Sequence, residues 1–189
     1  MKSPKDNVAL PIGKLRSLYW AAVHMREARD TSIHLMSLDP PTFEKFGHCI
    51  LTGVVVTYAR SFGENQGLSK IGPEFCRFSD TTMQSLHNML LDARNTIYAH
   101  MNRKQASLRL SGAREKVEME KIAIHIFGTG TTEWKVNRLS LPDNYLPRIT
   151  ALCNLQFDRL DAASSKMLHH FCRKKSYTAR CYVLGEDFP

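Results

Sequence analysis

The sequence predicts a mainly α-helical protein: a four-helix up-and-down bundle with a small β-hairpin or meander inserted before the last long helix. Three observations carry this. Apolar residues recur at helical spacing over four long segments. One stretch, about residues 105–141, switches to alternation with period two. The chain has 189 residues, of which 43% are hydrophobic and 23% charged, enough for one domain with a sizeable core.

The first helix is predicted over 14–37, with Leu15, Leu18, Ala22, Met25, Ile33 and Met36 as its apolar stripe. Asp39-Pro40-Pro41 supplies an N-cap and first-turn prolines for the second. That helix runs from about Thr42 to Phe62 along Phe43, Phe46, Ile50, Val54, Tyr58 and Phe62. Gly53 lies on a different side, and without a side chain it lets another helix approach. A polar, glycine-bearing loop, "GENQGLSKIGPEF", follows. Ser79 or Asp80 caps the third helix, whose stripe is Met83, Leu86, Leu90, Ile97 and Met101. "SLRL", "KVEMEKIAIHIFG" and "EWKVNRLSL" then read as short strands around a "GTGTT" turn. The fourth helix opens through Pro142 and Asp143 and passes Cys153, Phe157, Leu160, Met167 and Phe171 to about Lys174. A tail of about 175–189 has no clear pattern, and the whole chain, 1–189, reads as a single domain.

Lysine and arginine outnumber aspartate and glutamate 26 to 18, leaving a net charge of +8 with histidines neutral. That surplus suits a polyanionic partner such as nucleic acid. The N-terminal stretch has no apolar signal-peptide core. The most apolar run, Ile50 to Val56, is too short to span a bilayer. The five cysteines are an odd, scattered set, which points to a reducing compartment, and the expected location is the cytoplasm with no membrane partner.

The chemistry gathers in "LLDARNTIYAHMNRK", residues 90–104. Arg94 and Asn95 are adjacent, and His100 follows six residues after the arginine. On a regular helix that spacing puts Arg94 and His100 roughly 9 Å apart along the axis and about 120° apart around it. One helix does not aim both at one small group with ease, whereas two copies related by a two-fold axis can. Arginine presents a permanently charged fork to phosphate oxygens, and histidine titrates near neutrality and works as base or acid. Asparagine can orient a phosphate or the imidazole. Arg103 and Lys104 suit salt-sensitive contacts to an RNA backbone. Each of these residues also has a plain reading as a solvated helix face.

"RNTIYAH" resembles the arginine-to-histidine signature of the HEPN superfamily, with Asn95 as the polar residue after the arginine. "VVVTYARSFG" and "LHNMLLDARNTIYAH" are similar to segments of small bacterial HEPN-like proteins. The resemblance implies an α-helical homodimer. In active members it implies metal-independent RNA cleavage with Arg94, Asn95 and His100 as the catalytic set, of the kind found in ribonuclease toxins and defence proteins. Other members bind nucleotide, RNA or a partner protein, an antitoxin for example, without cutting. Tyr58, Arg60 and His87 are further binding candidates. His87 lies about 20° from Arg94 around the helix and flanks the same groove, though packing is the commoner role for such a histidine. Tyr58 suits the core with a satisfied hydroxyl, and Arg60 either the interhelical groove or a salt bridge.

No cofactor or metal is expected. His169, His170, Cys172 and Cys181 lack paired zinc-ligand spacing. The glycines at 128 and 130 lack the lysine and helix start of a phosphate loop.

Overall fold

In the computed structural model the described residues are 6–63, 70–95, 107–109, 116–118, 121–126, 132–137 and 145–174. They form a mainly helical protein. The helices are α1 (Asp6–Met36), α2 (Pro40–Arg60), α3 (Thr81–Ala93) and α4 (Tyr145–Lys174), with a 3₁₀ turn at Pro73–Cys76 before α3.

α1 begins earlier than the apolar stripe indicated, because Pro11 and Gly13, two helix breakers, interrupt the pattern in its first turns. Leu15, Leu18, Ala22 and Met25 are buried as expected, but Ile33 and Met36 are exposed, and Leu35 with Ser32 takes the buried side. α2 starts where the prolines place it. The Asp39 side chain accepts from the Thr42 amide at 3.0 Å, and Pro40 and Pro41 occupy the first turn, where a missing N–H costs nothing. Its buried face is Gly47, Leu51, Val54, Val55, Tyr58 and Ala59. The expected line through Phe43 and Phe46 is corrected, since both rings are 46% exposed. A run of four-residue steps drifts about 40° per step, so the beginning and end of that line face different ways.

Asp80, not Ser79, caps α3, accepting from the amides of Thr82 at 2.7 Å and Met83 at 3.2 Å. Leu86, Met89, Leu90 and Ala93 form its buried stripe, while Ile97 and Met101 lie outside the described residues.

The core is helical. α4 packs along α1, which also packs on α2, and α3 lies against α2 and α4. α1 and α4 run antiparallel, as the Ser32–Thr150 hydroxyl pair at 2.7 Å joins the late part of α1 to the early part of α4. Leu18, Met25, Leu51, Val54, Leu90, Ile149, Leu152 and Leu160 fill the centre, with Ile71 and Phe75 closing it from the loop before α3. No helix of the described residues is long and apolar enough to cross a membrane.

About half of the insertion expected at about 105–141 lies outside the described residues, as does the whole tail at 175–189. Within the insertion, backbone is described for four short strands, β1 (Ser107–Arg109), β2 (Lys116–Glu118), β3 (Lys121–Ile126) and β4 (Thr132–Asn137). They pair locally as β1–β2 and β3–β4, both antiparallel, in two separate ladders. Of these strands only the backbone is described, and the expected β-hairpin gains no support as part of the packed fold.

Removing the α3 cap, Asp80→Ala, is expected to lower stability by about 1 kcal/mol in urea unfolding. An unchanged midpoint would show that α3 does not depend on its cap.

Candidate functional site

α3 carries the candidate site at its C-terminal end and a buried polar clamp at its middle. Arg94 closes the helix, with its amide donating to the carbonyls of Leu90 and Leu91. Its side chain is exposed, and Nη1 donates to Asn95 Oδ1 at 2.8 Å. Asn95 is exposed as well. The structure thus places these two side chains together in solvent, with the asparagine holding one edge of the guanidinium. That contact uses one of five N–H donors, so the fork retains others for a phosphate. His100, Arg103 and Lys104 lie outside the described residues.

His87 and Tyr58 sit elsewhere. His87 is 1% exposed and Tyr58 fully buried. Tyr58 Oη and His87 Nδ1 share a hydrogen bond at 2.8 Å. The imidazole is packed edge-on against Phe62, with centroids 4.7 Å apart, and tilted against Phe78 at 5.3 Å. Burial, reinforced by the nearby Arg159 charge, pushes His87 down to about 4. Burial also drives the Tyr58 phenol well above its usual range. Both groups are therefore neutral near pH 7, and neither reaches a solvent-borne substrate. They join α2 to α3.

The clamp extends to α4 through residues that the sequence reading did not select. Gln156 is buried near the Tyr58 hydroxyl. Its Nε2 donates to the Phe75 carbonyl at 2.6 Å, and its Oε1 accepts from Arg159 Nη1 at 2.8 Å. Arg159 Nη2 donates to the carbonyls of Glu74 at 2.5 Å and Arg77 at 3.1 Å. The guanidinium lies over the Phe75 and Phe78 rings, 5.7 and 5.1 Å from their centroids. Gln156 was visible in principle as a polar residue on the apolar stripe of α4, between Leu152 and Leu160. Such a residue in a core needs a partner.

Arg60 is exposed at the end of α2. Its charge adds to burial in holding His24 below the ordinary histidine value. His24 Nδ1 lies 3.3 Å from Ser61 Oγ, a second polar tie between α1 and the end of α2. A surface cleft of about 220 Å³ opens between the loop before α3 and α4, lined by Arg77, Phe78, Ser79, Asp80, Leu155 and Arg159. The Asp80 carboxylate is committed to the α3 cap and both Arg159 Nη atoms to the clamp, which leaves Arg77 as the other charged residue of the lining. Among the described residues no group of three or more His, Cys, Asp and Glu is placed to hold a metal ion.

No family model, no curated protein and no solved structure matches the chain.

The clamp sets a pH dependence. His87 folded titrates near 4, below its ordinary 6.5, so the unfolded chain takes up the proton first as pH falls. Its contribution is complete above pH 6.5 and declines toward pH 4, by on the order of 3 kcal/mol. His24, also lowered, acts in the same direction. Urea unfolding between pH 7 and 4 is expected to show this fall, with a shallower slope in His87→Gln. Parallel slopes for the two proteins would contradict the assignment to His87.

Proposed function

We propose that this chain is a cytoplasmic HEPN-like protein, a four-helix bundle with a β insertion at about 105–141. It acts as a homodimer that cuts single-stranded or looped RNA without a metal ion. Arg94, Asn95 and His100 carry the reaction, with each site taking the Arg94 fork from one protomer and the His100 imidazole from the other. The observation that supports this reading is the exposed Arg94–Asn95 pair, a cationic fork held open to solvent at the end of α3 on a chain of net charge +8.

In this reading an imidazole takes the proton of the RNA 2′-hydroxyl as its oxygen bonds to phosphorus. The bond to the 5′-oxygen breaks, and that oxygen receives a proton from an acid. The products are a 2′,3′-cyclic phosphate and a free 5′-hydroxyl. The Arg94 guanidinium stabilises charge on the phosphate oxygens, and Asn95 orients the fork. Arg103 and Lys104 hold the RNA backbone. Control by a partner protein of the antitoxin kind fits such an activity.

A second reading, a non-catalytic module that binds nucleotide, RNA or a partner protein, is favoured by the burial of Tyr58 and His87. Of the Tyr58, Arg60 and His87 candidates, only Arg60 is exposed, so this part of the chain brings binding charge and no acid or base.

Purified protein is expected to cut unstructured RNA in EDTA and leave 2′,3′-cyclic phosphate ends. His100→Ala should abolish cleavage with unchanged far-UV circular dichroism, and Arg94→Ala should slow it by roughly 100-fold. Cleavage that survives His100→Ala refutes its role, while RNA binding without turnover in the wild type selects the second reading.

A further inference from the structure

Arg159 is a half-buried cation held without a counter-charge. Three of its five N–H donors go to uncharged oxygens, Gln156 Oε1 and the carbonyls of Glu74 and Arg77. Its plane lies over two rings, Phe75 and Phe78. Between described residues the one ion pair is Arg29–Asp30, so no carboxylate there meets the Arg159 guanidinium. A charge fixed in place and partly withdrawn from water favours an anion beside it. Other cations gather around it. Burial pushes the Cys76 thiol up, Lys70, Arg159 and Arg77 act on it in the opposite direction, and Glu74 adds to the rise. Three cations and one carboxylate thus surround the loop that leads into α3.

We propose that the cleft between this loop and α4 binds a phosphomonoester, with the phosphate between Arg77 and Arg159 and the organic part against Phe78 and Leu155. The cleft measures about 220 Å³, below the roughly 300–1,000 Å³ of pockets for drug-sized ligands, which suits a compact ligand. A phosphomonoester carries about −1.5 to −2 charge at neutral pH, and two guanidiniums line the cleft. Guanidiniums present paired N–H donors to phosphate oxygens. Arg159 retains two donors, and the exposed Arg77 side chain has no hydrogen-bond partner among the described residues. Leu155, 41% exposed, and the half-buried Phe78 ring form the apolar wall. Of the lining residues Asp80 is the acidic one, and its Oδ1 accepts from the amides of Thr82 and Met83, which offset part of its charge. Such a group comes either as a free small phosphomonoester or as the 5′-phosphate of an RNA strand. The cleft lies at the opposite end of α3 from Arg94, about 20 Å of helix away, so the inference stands apart from the cleavage site.

Calorimetric titration of the full chain with phenyl phosphate tests it. The wild type is expected to bind this probe more tightly than inorganic phosphate, because the ring adds contact with the apolar wall. Arg77→Ala should raise the Kd about tenfold. The fold should hold, since only the Arg77 carbonyl serves the clamp. Asp80→Asn should lower the Kd, because asparagine caps a helix as well as aspartate does and takes the negative charge out of the cleft. Lys45→Ala, which removes an equal charge near the start of α2, should leave the Kd unchanged. No binding of phenyl phosphate, or equal Kd values for the wild type and Arg77→Ala, would overturn the proposal. So would losses of the same size in Arg77→Ala and Lys45→Ala, the mark of general charge attraction. An RNA oligonucleotide with and without a 5′-phosphate distinguishes the two sources. A preference for the phosphorylated strand that Arg77→Ala removes assigns the RNA end, and equal binding of both strands beside tighter binding of phenyl phosphate assigns the free ligand.

Discussion

A 2.8 Å hydrogen bond between two groups withdrawn from solvent, Tyr58 and His87, is the constraint on which the placement of α3 depends. α3 has 13 described residues, a length at which an isolated helix is marginal in water. Its apolar stripe contributes, but a stripe alone leaves a helix free to slide or rotate by small amounts. The Tyr58–His87 bond fixes it to α2, and the Phe62 and Phe78 rings enclose the imidazole on two sides. Gln156 and Arg159 extend the tie to α4 and to the carbonyls of the preceding loop. A lost partner inside this network leaves a buried polar atom unsatisfied, at a cost of roughly 1–3 kcal/mol. The network is closed and neutral at His87 and Tyr58, which suits a positioning role. Arg94 lies seven residues, about 10 Å of helix, beyond His87. Its direction into solvent is therefore set by the clamp.

α2 joins the two halves of this account. One side packs on α1 and carries Tyr58 into the clamp, and the other presents Phe46, Gly53 and Val56 outward. A helix apolar on both sides is under-packed in a lone bundle. The exposed fork, the clamp beneath it and the outward apolar side thus lie on two consecutive helices, α2 and α3.

Much of the helical scaffold was legible because its signals are local. Asp39 with two prolines marks the start of α2, Asp80 that of α3, and the stripe of Cys153 and Leu160 marks α4. The rotational phase of α2 was less so. Steps of four residues look like one stripe in the sequence, and only the packing shows that Phe43 and Phe46 leave the core. The end of α1 carries the same lesson, where Leu35 replaces Ile33 and Met36. Of the candidate site, the core state of Tyr58 was readable from its place on the stripe, whereas the Arg94–Asn95 contact was not, since neighbours on a helix point different ways. Gln156 and Arg159 were not selected, because their meaning lies in carbonyls some eighty residues away, at Phe75, Glu74 and Arg77. No periodicity encodes such a contact.

The composite nature of the site is tested most directly by mixing two inactive proteins. Arg94→Ala and His100→Ala chains, unfolded and refolded together, form mixed dimers in which one of the two sites has both an intact guanidinium and an intact imidazole. Cleavage of RNA in EDTA is then predicted to return to a substantial fraction of the wild-type rate, although each variant alone is inactive or nearly so. A mixture no more active than its parts would show that fork and imidazole are not drawn from different protomers.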